Sequence, residues 1–135
     1  MLDPEEIIEH PYFMTLDPAM QERIAAWEGP EDAGDRYISD LSTVPGWKVG
    51  GYVAWPPTGP RPLLCSVCGA ELAPLLTADE REWDPSTNSW IPYEDQKAAD
   101  TLWANDPTGV SPGRGRLTVA VCPWDPHHPI DLVVQ

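Results

Sequence analysis

The sequence predicts an α+β fold in which short N-terminal helices precede a mostly antiparallel sheet with long Pro/Gly-rich loops, held together by a zinc site. Helix start and stop signals are concentrated before residue 41, and runs rich in aromatic and β-branched residues follow it. The 17 prolines and 10 glycines interrupt regular structure too often for a helical bundle. Helices followed by strands are typical of α+β proteins. We expect a single domain over 1–135, with a helical part at 1–40 and a sheet part at 41–135.

The first predicted helix lies in "LDPEEIIEHP", residues 2–11. Asp3 can cap it, Pro4 suits the first helical position, and Glu6 completes a capping box. Pro11 ends the segment, so this helix is expected to have barely two turns.

The second predicted helix lies in "LDPAMQERIAAWEG", residues 16–29. An Asp-Pro pair again starts it, and Gly29 ends it. Met20, Ile24 and Trp27 fall on one face at helical spacing. We expect these three side chains to be core contacts.

Strand signals dominate the rest of the chain. Residues 46–57 predict a strand that Gly50-Gly51 interrupts. Residues 75–93 predict two strands around a Pro-Ser-Thr-Asn turn. The alternating apolar residues of 115–122 and the apolar run at 129–135 predict two more strands. Residues 93–103 predict a short helix.

The composition is strongly acidic, with 22 acidic against 8 basic side chains and a net charge of −14. Phosphate recognition needs clustered Lys and Arg, so direct nucleic-acid binding is not expected. Attraction to an anionic membrane is not expected either, and no segment is apolar enough to span a bilayer. Two interpretations of this charge stay open, namely solubility and the electrostatic attraction of a basic protein partner. With an N-terminus unlike a signal peptide and an odd number of cysteines, we expect a cytoplasmic protein.

The cysteines and histidines suggest a metal site. Cys65 and Cys68 form a CxxC pair followed by a glycine, and Cys122 ends the alternating strand shortly before His127 and His128. Three cysteines and one histidine match the tetrahedral ligation of a structural zinc site. We predict Cys65, Cys68, Cys122 and His128 as ligands, with His127 as the alternative to His128.

Three other interpretations of the cysteines stay open. A redox dithiol normally opens a helix after a strand, whereas Pro74 interrupts the residues that follow Cys68. The thiols could simply be core residues. A catalytic zinc would need an open coordination position, and three thiolates make the metal a poor Lewis acid.

No catalytic residues are predicted, because the chain has no phosphate-binding glycine loop and no GxSxG motif. The sequence instead favours a non-enzymatic, acidic protein-interaction module, of which an immunity- or antitoxin-type inhibitor of a basic partner is one form. A small zinc-dependent hydrolase is the alternative. The predicted partner-binding residues are aromatic side chains among acidic ones, namely Trp90, Tyr93, Glu94 and Trp103. Core positions are expected instead for Trp47, Trp55 and Trp83.

The chain also resembles the YwqG-like family of uncharacterised bacterial proteins. The resemblance covers residues 40–135 through four stretches: "PGWKVGGYVAW", "CSVCGAELAPLLT", "EWDPSTNSWIP" and "GRLTVAVCPWDPHHP" with its closing "LVVQ". Members are longer, so the chain is similar to the C-terminal half of one. It departs from the family at Pro56-Pro57 and at Arg114 and Arg116. The resemblance implies an α+β fold with an antiparallel sheet and adds weight to a protein-binding role.

Overall fold

A computed structural model of the chain describes residues 5–30, 35–56, 58–97, 112 and 115–135. Helices precede strands along the chain, as predicted. The elements, in order, are a 3₁₀ turn Phe13–Thr15, helices α1 Pro18–Glu28 and α2 Asp35–Asp40, and strands β1 Lys48–Val49, β2 Ala73–Asp79, β3 Arg116–Val121 and β4 Asp131–Val134. Within this part of the chain, no helix has both the length and the apolar character needed to cross a bilayer.

The four strands form one antiparallel sheet in the order β1-β2-β3-β4, so that neighbours in sequence are neighbours in space. This confirms the α+β class and the antiparallel sheet. β1 has only two residues because Gly50 and Gly51 follow it with φ of 74° and 76°, a region that extended strands do not use. Of the two strands predicted over 75–93, the first is present in part as β2, which ends at Asp79, and an isolated bridge between Asp84 and Ser89 takes the place of further pairing around the Pro-Ser-Thr-Asn turn.

Helix α1 starts and stops as predicted. Asp17 is its N-cap, and the Asp17 carboxylate accepts a hydrogen bond from the Met20 amide at 3.0 Å. Gly29 ends it with φ of 94°, and its amide donates to the Ala25 carbonyl. Helix α2 was not predicted, because six residues are too short for a periodic apolar pattern to be visible.

The prediction of a helix at 2–11 is wrong for the described residues of that segment, since 5–10 have no regular structure. The Glu9 carboxylate accepts hydrogen bonds from the Val44 amide at 2.8 Å and the Tyr52 amide at 2.5 Å. It also pairs with the Lys48 ammonium at 2.7 Å, and both side chains are less than a tenth exposed (6% and 7%). These tertiary bonds hold the segment against the sheet and compete with a two-turn helix, which is marginal alone.

The core lies against the sheet and reaches the cysteines. Its cluster of buried residues consists of Val53, Leu63, Cys65, Leu72, Ala120, Cys122 and Val133, with Trp55 packed against it. Trp83 is 1% exposed, which confirms its predicted core position, whereas Trp47 is partly exposed and donates its indole N–H to the Asp79 carbonyl at 3.1 Å. The fully buried hydroxyls of Thr77 and Thr118 lie 3.1 Å apart across β2 and β3, so each satisfies the other.

The predicted core face of α1 is not covered. Trp27 is 54% exposed and Met20 also counts among the exposed apolar side chains, while Ile24 is half-buried. The guanidinium carbon of Arg36 lies 4.8 Å from the centroid of the Trp27 ring. The expectation that all three are core contacts is therefore wrong for Met20 and Trp27.

Candidate metal centre

The first half of the candidate site is a tight hairpin around Cys65 and Cys68. A bridge pairs Leu64 with Glu71, and the Cys65 amide donates to the Ala70 carbonyl at 2.8 Å. Gly69 closes the turn with φ of 71° and donates its amide to the Cys65 carbonyl. A residue with a side chain is strained at this φ, which explains why a glycine follows the CxxC pair.

The second half is the turn between β3 and β4. Cys122 directly follows β3, and its sulfur accepts hydrogen bonds from the Trp124 and Asp125 amides. The His128 amide donates to the Asp125 carbonyl at 3.2 Å, which bends the chain back toward the sulfur. Because β2 and β3 are paired, the hairpin that leads into β2 meets the turn that leaves β3.

The two halves bring four predicted ligand atoms together. The Cys65, Cys68 and Cys122 sulfurs and a ring nitrogen of His128 all lie within 4.8 Å of one another. The Cys68 and Cys122 sulfurs are 3.6 Å apart, and the Cys65 sulfur is 3.3 Å from His128 Nδ1. A tetrahedral ion with bonds of about 2.3 Å to sulfur separates its ligand atoms by roughly 3.8 Å. The group is therefore close enough to hold one metal ion.

The protein environment favours the thiolate form, which metal binding requires, at two of the three cysteines. Hydrogen bonds from the Cys68 and Val67 amides lower the pKa of Cys65 to about 6. Burial raises the pKa of Cys122, but amide and His128 hydrogen bonds outweigh it, so the pKa is lowered. A hydrogen bond from the Ala70 amide lowers the pKa of Cys68. Burial and the neighbouring sulfurs raise this pKa more, so that it is raised overall. Two thiols are thus prepared for deprotonation, and the third loses its proton less readily.

His128 is oriented from both sides. Its hydrogen bonds with the Cys122 and Cys65 sulfurs raise its pKa. Its other nitrogen, Nε2, lies 3.6 Å from Asp125 Oδ2, the position at which a carboxylate commonly orients a metal-ligating histidine. His127 is exposed, and its amide donates to Asp125 Oδ1 at 2.9 Å. The structure thus brings His128 and not His127 to the three sulfurs.

None of the predicted partner-binding residues within the described part of the chain belongs to this cluster. Tyr93 is 86% exposed and Glu94 is exposed beside it. Trp90 is half-buried, with its indole N–H bonded to the Ser39 carbonyl at 2.7 Å, so it anchors its loop to α2. Trp103 lies outside the described residues.

Two features of the region were missed from the sequence. Asp125, which contacts His128, could have been found from its spacing of three residues before that histidine. Trp124 is exposed next to the site, and no pattern in the sequence distinguishes it from a core tryptophan.

None of the protein-family models, curated proteins or solved structures with which the chain was compared matches it. The resemblance to the YwqG-like family therefore stays a prediction.

Proposed function

We propose that Cys65, Cys68, Cys122 and His128 bind one Zn²⁺ with a structural role, in a protein that acts as a non-enzymatic, acidic interaction module for a basic partner. The observation that carries the metal assignment is the convergence of three sulfurs and one imidazole nitrogen within 4.8 Å. Soft thiolates with imidazole in a tetrahedral arrangement favour zinc over magnesium, calcium or manganese.

A structural role follows from how the ligands are distributed. Two come from the hairpin before β2 and two from the turn after β3, and Cys65 and Cys122 belong to the buried core cluster. An ion held by all four joins these segments. Four protein ligands also leave no coordination position for a water molecule, and three thiolates supply enough electron density to weaken Lewis acidity.

The zinc proposal is tested by metal content and by unfolding with and without a chelator. Binding of structural zinc contributes on the order of 10 kcal/mol to folding, so the protein should be largely unfolded after a chelator has removed the metal. His128→Ala should lose the metal, whereas the adjacent His127→Ala should keep it at one equivalent and serve as the matched control. Purified metal-free protein that melts as the loaded protein does would contradict the proposal.

The interaction proposal rests on the net charge of −14 and on the surface around Tyr93. Burial, and then the Asp95 and Glu94 carboxylates, raise the pKa of Glu82. These carboxylates thus lie near enough to repel one another, and a cation from a partner would relieve that repulsion. An exposed aromatic ring beside clustered charge is typical of interface hot spots. An immunity- or antitoxin-type inhibitor of a basic toxin or nuclease, in the cytoplasm, is the form of this function we favour.

The interaction proposal is tested with partners captured from a bacterial lysate. Association should slow steeply as ionic strength rises, because salt screens electrostatic steering. Glu94→Gln with Asp95→Asn should slow it further at low salt. Glu5→Gln with Glu6→Gln removes the same charge from exposed positions elsewhere and should have a smaller effect. Acidic partners that bind at the surface around Tyr93, or association indifferent to salt, would contradict the proposal.

A further inference from the structure

A groove with a volume of about 550 Å³ runs along α1. The described residues that line it all precede the first candidate metal ligand, Cys65, in the sequence. We define the α1 groove by the residues that matter for its chemistry, Leu16, Met20, Arg23, Ile24, Trp27 and Leu41. Met20, Trp27 and Leu41 are exposed apolar side chains. Met20, Ile24 and Trp27 occur at positions i, i+4 and i+7 of the helix, so they form one apolar strip about 10 Å long.

The charge of the α1 groove is opposite to that of the chain. No Asp or Glu occurs among the described residues that line it, although 22 of the 135 residues are acidic. Arg23 lines the groove, and Arg36 stacks on Trp27 at its edge.

These two arginines also differ from most other cations of the described chain. Four basic side chains pair with carboxylates, namely Lys48, Arg61, Arg81 and Arg116. Within the described residues, neither Arg23 nor Arg36 takes part in an ion pair. The apolar strip is therefore flanked by cations that a ligand could neutralise.

We propose that the α1 groove binds an acidic amphipathic segment of a partner protein, with apolar anchors on Trp27 and Met20 and carboxylates on Arg23 and Arg36. An amphipathic helix laid into a groove uses anchors at i, i+3 or i+4 and i+7, which matches the length of the strip. Arginine forms two parallel hydrogen bonds with a carboxylate.

Charge disfavours the other occupants. An anionic bilayer would face a whole side of a chain with a net charge of −14 and be repelled by it, whereas a short segment contacts the groove and its two arginines while salt screens the more distant carboxylates. A symmetric second copy would bring the same groove, and thus the same two arginines, face to face. A segment with its own carboxylates neutralises the arginines in either orientation.

The proposal is tested by selecting phage-displayed random 12-residue peptides on the zinc-loaded protein at about physiological salt, where the screening length is roughly 8 Å. Selected peptides should combine Asp or Glu with Leu, Phe or Met. A synthetic peptide of the enriched sequence should bind the double variant Arg23→Glu/Arg36→Glu at least about tenfold more weakly, since attraction becomes repulsion. Trp27→Ala should weaken it similarly by removing the apolar anchor.

The matched control is Arg81→Glu/Lys97→Glu, which changes the net charge equally at positions that do not line the groove. The affinity of this control variant for the peptide should stay within about twofold of that of the original protein. A thermal melt of each variant checks that the variant is folded. Enrichment of basic peptides, or equal weakening by both double variants, would overturn the proposal. So would binding of phosphatidylglycerol vesicles without any peptide enrichment, or a dimer that Trp27→Ala dissociates, because these outcomes assign the groove to a membrane or to a second copy.

Discussion

The buried ion pair between Glu9 and Lys48 should be one of the most sensitive points of the fold. Its carboxylate accepts hydrogen bonds from two backbone amides besides the ammonium, and both side chains are under a tenth exposed. Burial lowers the pKa of Lys48, against the opposing effect of Glu9. Removing one partner of a buried pair costs about 3–5 kcal/mol, because the other charge stays buried without compensation. Glu9→Gln should therefore lower the free energy of unfolding by about that amount.

The measurement is urea unfolding of the purified protein, followed by tryptophan fluorescence. With a slope of about 1–3 kcal/mol per molar urea, the midpoint should fall by more than roughly 1 M. Glu9→Gln/Lys48→Met completes a double-mutant cycle, and it should cost less than the sum of the two single variants. Arg61 and Asp131 provide the control, an exposed pair at 2.9 Å with side chains 49% and 36% exposed, whose Arg61→Gln variant should cost under about 1 kcal/mol. A cost for Glu9→Gln no larger than that of the control would refute the reasoning.

The remaining predictions concern the glycine pair, the metal and the core. Gly51→Ala should destabilise the protein more than Gly50→Ala in urea unfolding. Both glycines have positive φ, but a Cβ at Gly51 would collide with the Glu9 carboxylate, whereas nothing lies within 4 Å of one at Gly50. Equal losses of unfolding free energy for the two variants would contradict this prediction, because they would mean that the Glu9 carboxylate moves out of the way of the Cβ. Since the folded pKa of Cys65 is lowered to about 6, its thiolate stabilises the fold above its unfolded pKa, and this contribution is lost as pH falls through about 6. Zinc affinity, measured by competition with a chromophoric chelator, should therefore fall as pH falls, because the pKa of Cys68 is raised, and it should fall more steeply below about pH 6, where Cys65 also takes up its proton; a flat profile would count against thiolate ligands. Trp83→Ala should cost about 3–5 kcal/mol because the side chain is 1% exposed, and a cost under about 1 kcal/mol would contradict its core role.

The sequence predicted an element correctly where the contact between neighbouring residues that suggested the element also occurs in the folded structure. Asp17 caps α1 as expected, because its carboxylate accepts a hydrogen bond from the Met20 amide of the same helical turn. Asp3, Pro4 and Glu6 form a similar pattern, but the helix does not occur over the described residues because Glu9 binds the sheet segment instead. A partner more than thirty residues away leaves no trace in a local pattern.

The composition of the candidate site could be predicted because it depends on rare residues. The chain has only three cysteines and three histidines, so few combinations of ligands exist. The choice between His127 and His128 depends on the turn at Asp125, which spacing alone does not determine. The exposed strip of α1 could not be predicted, because a helical period identifies an apolar face without identifying what covers it.

The position of the cysteines also affects how the chain between them can vary. Residues 80–115 connect β2 to β3, and their two ends are held by the pairing of Asp79 with Arg116 and, beyond the strands, by the candidate ligands. The entropy of closing such a connection grows slowly, by only about 0.6 kcal/mol for each doubling of its length. Changes in the length of this connection that leave Trp83 and Trp90 in place therefore cost the sheet little. Because the connection contains Tyr93 and Glu94, the proposed partner-binding surface can change while the frame that presents it stays unchanged.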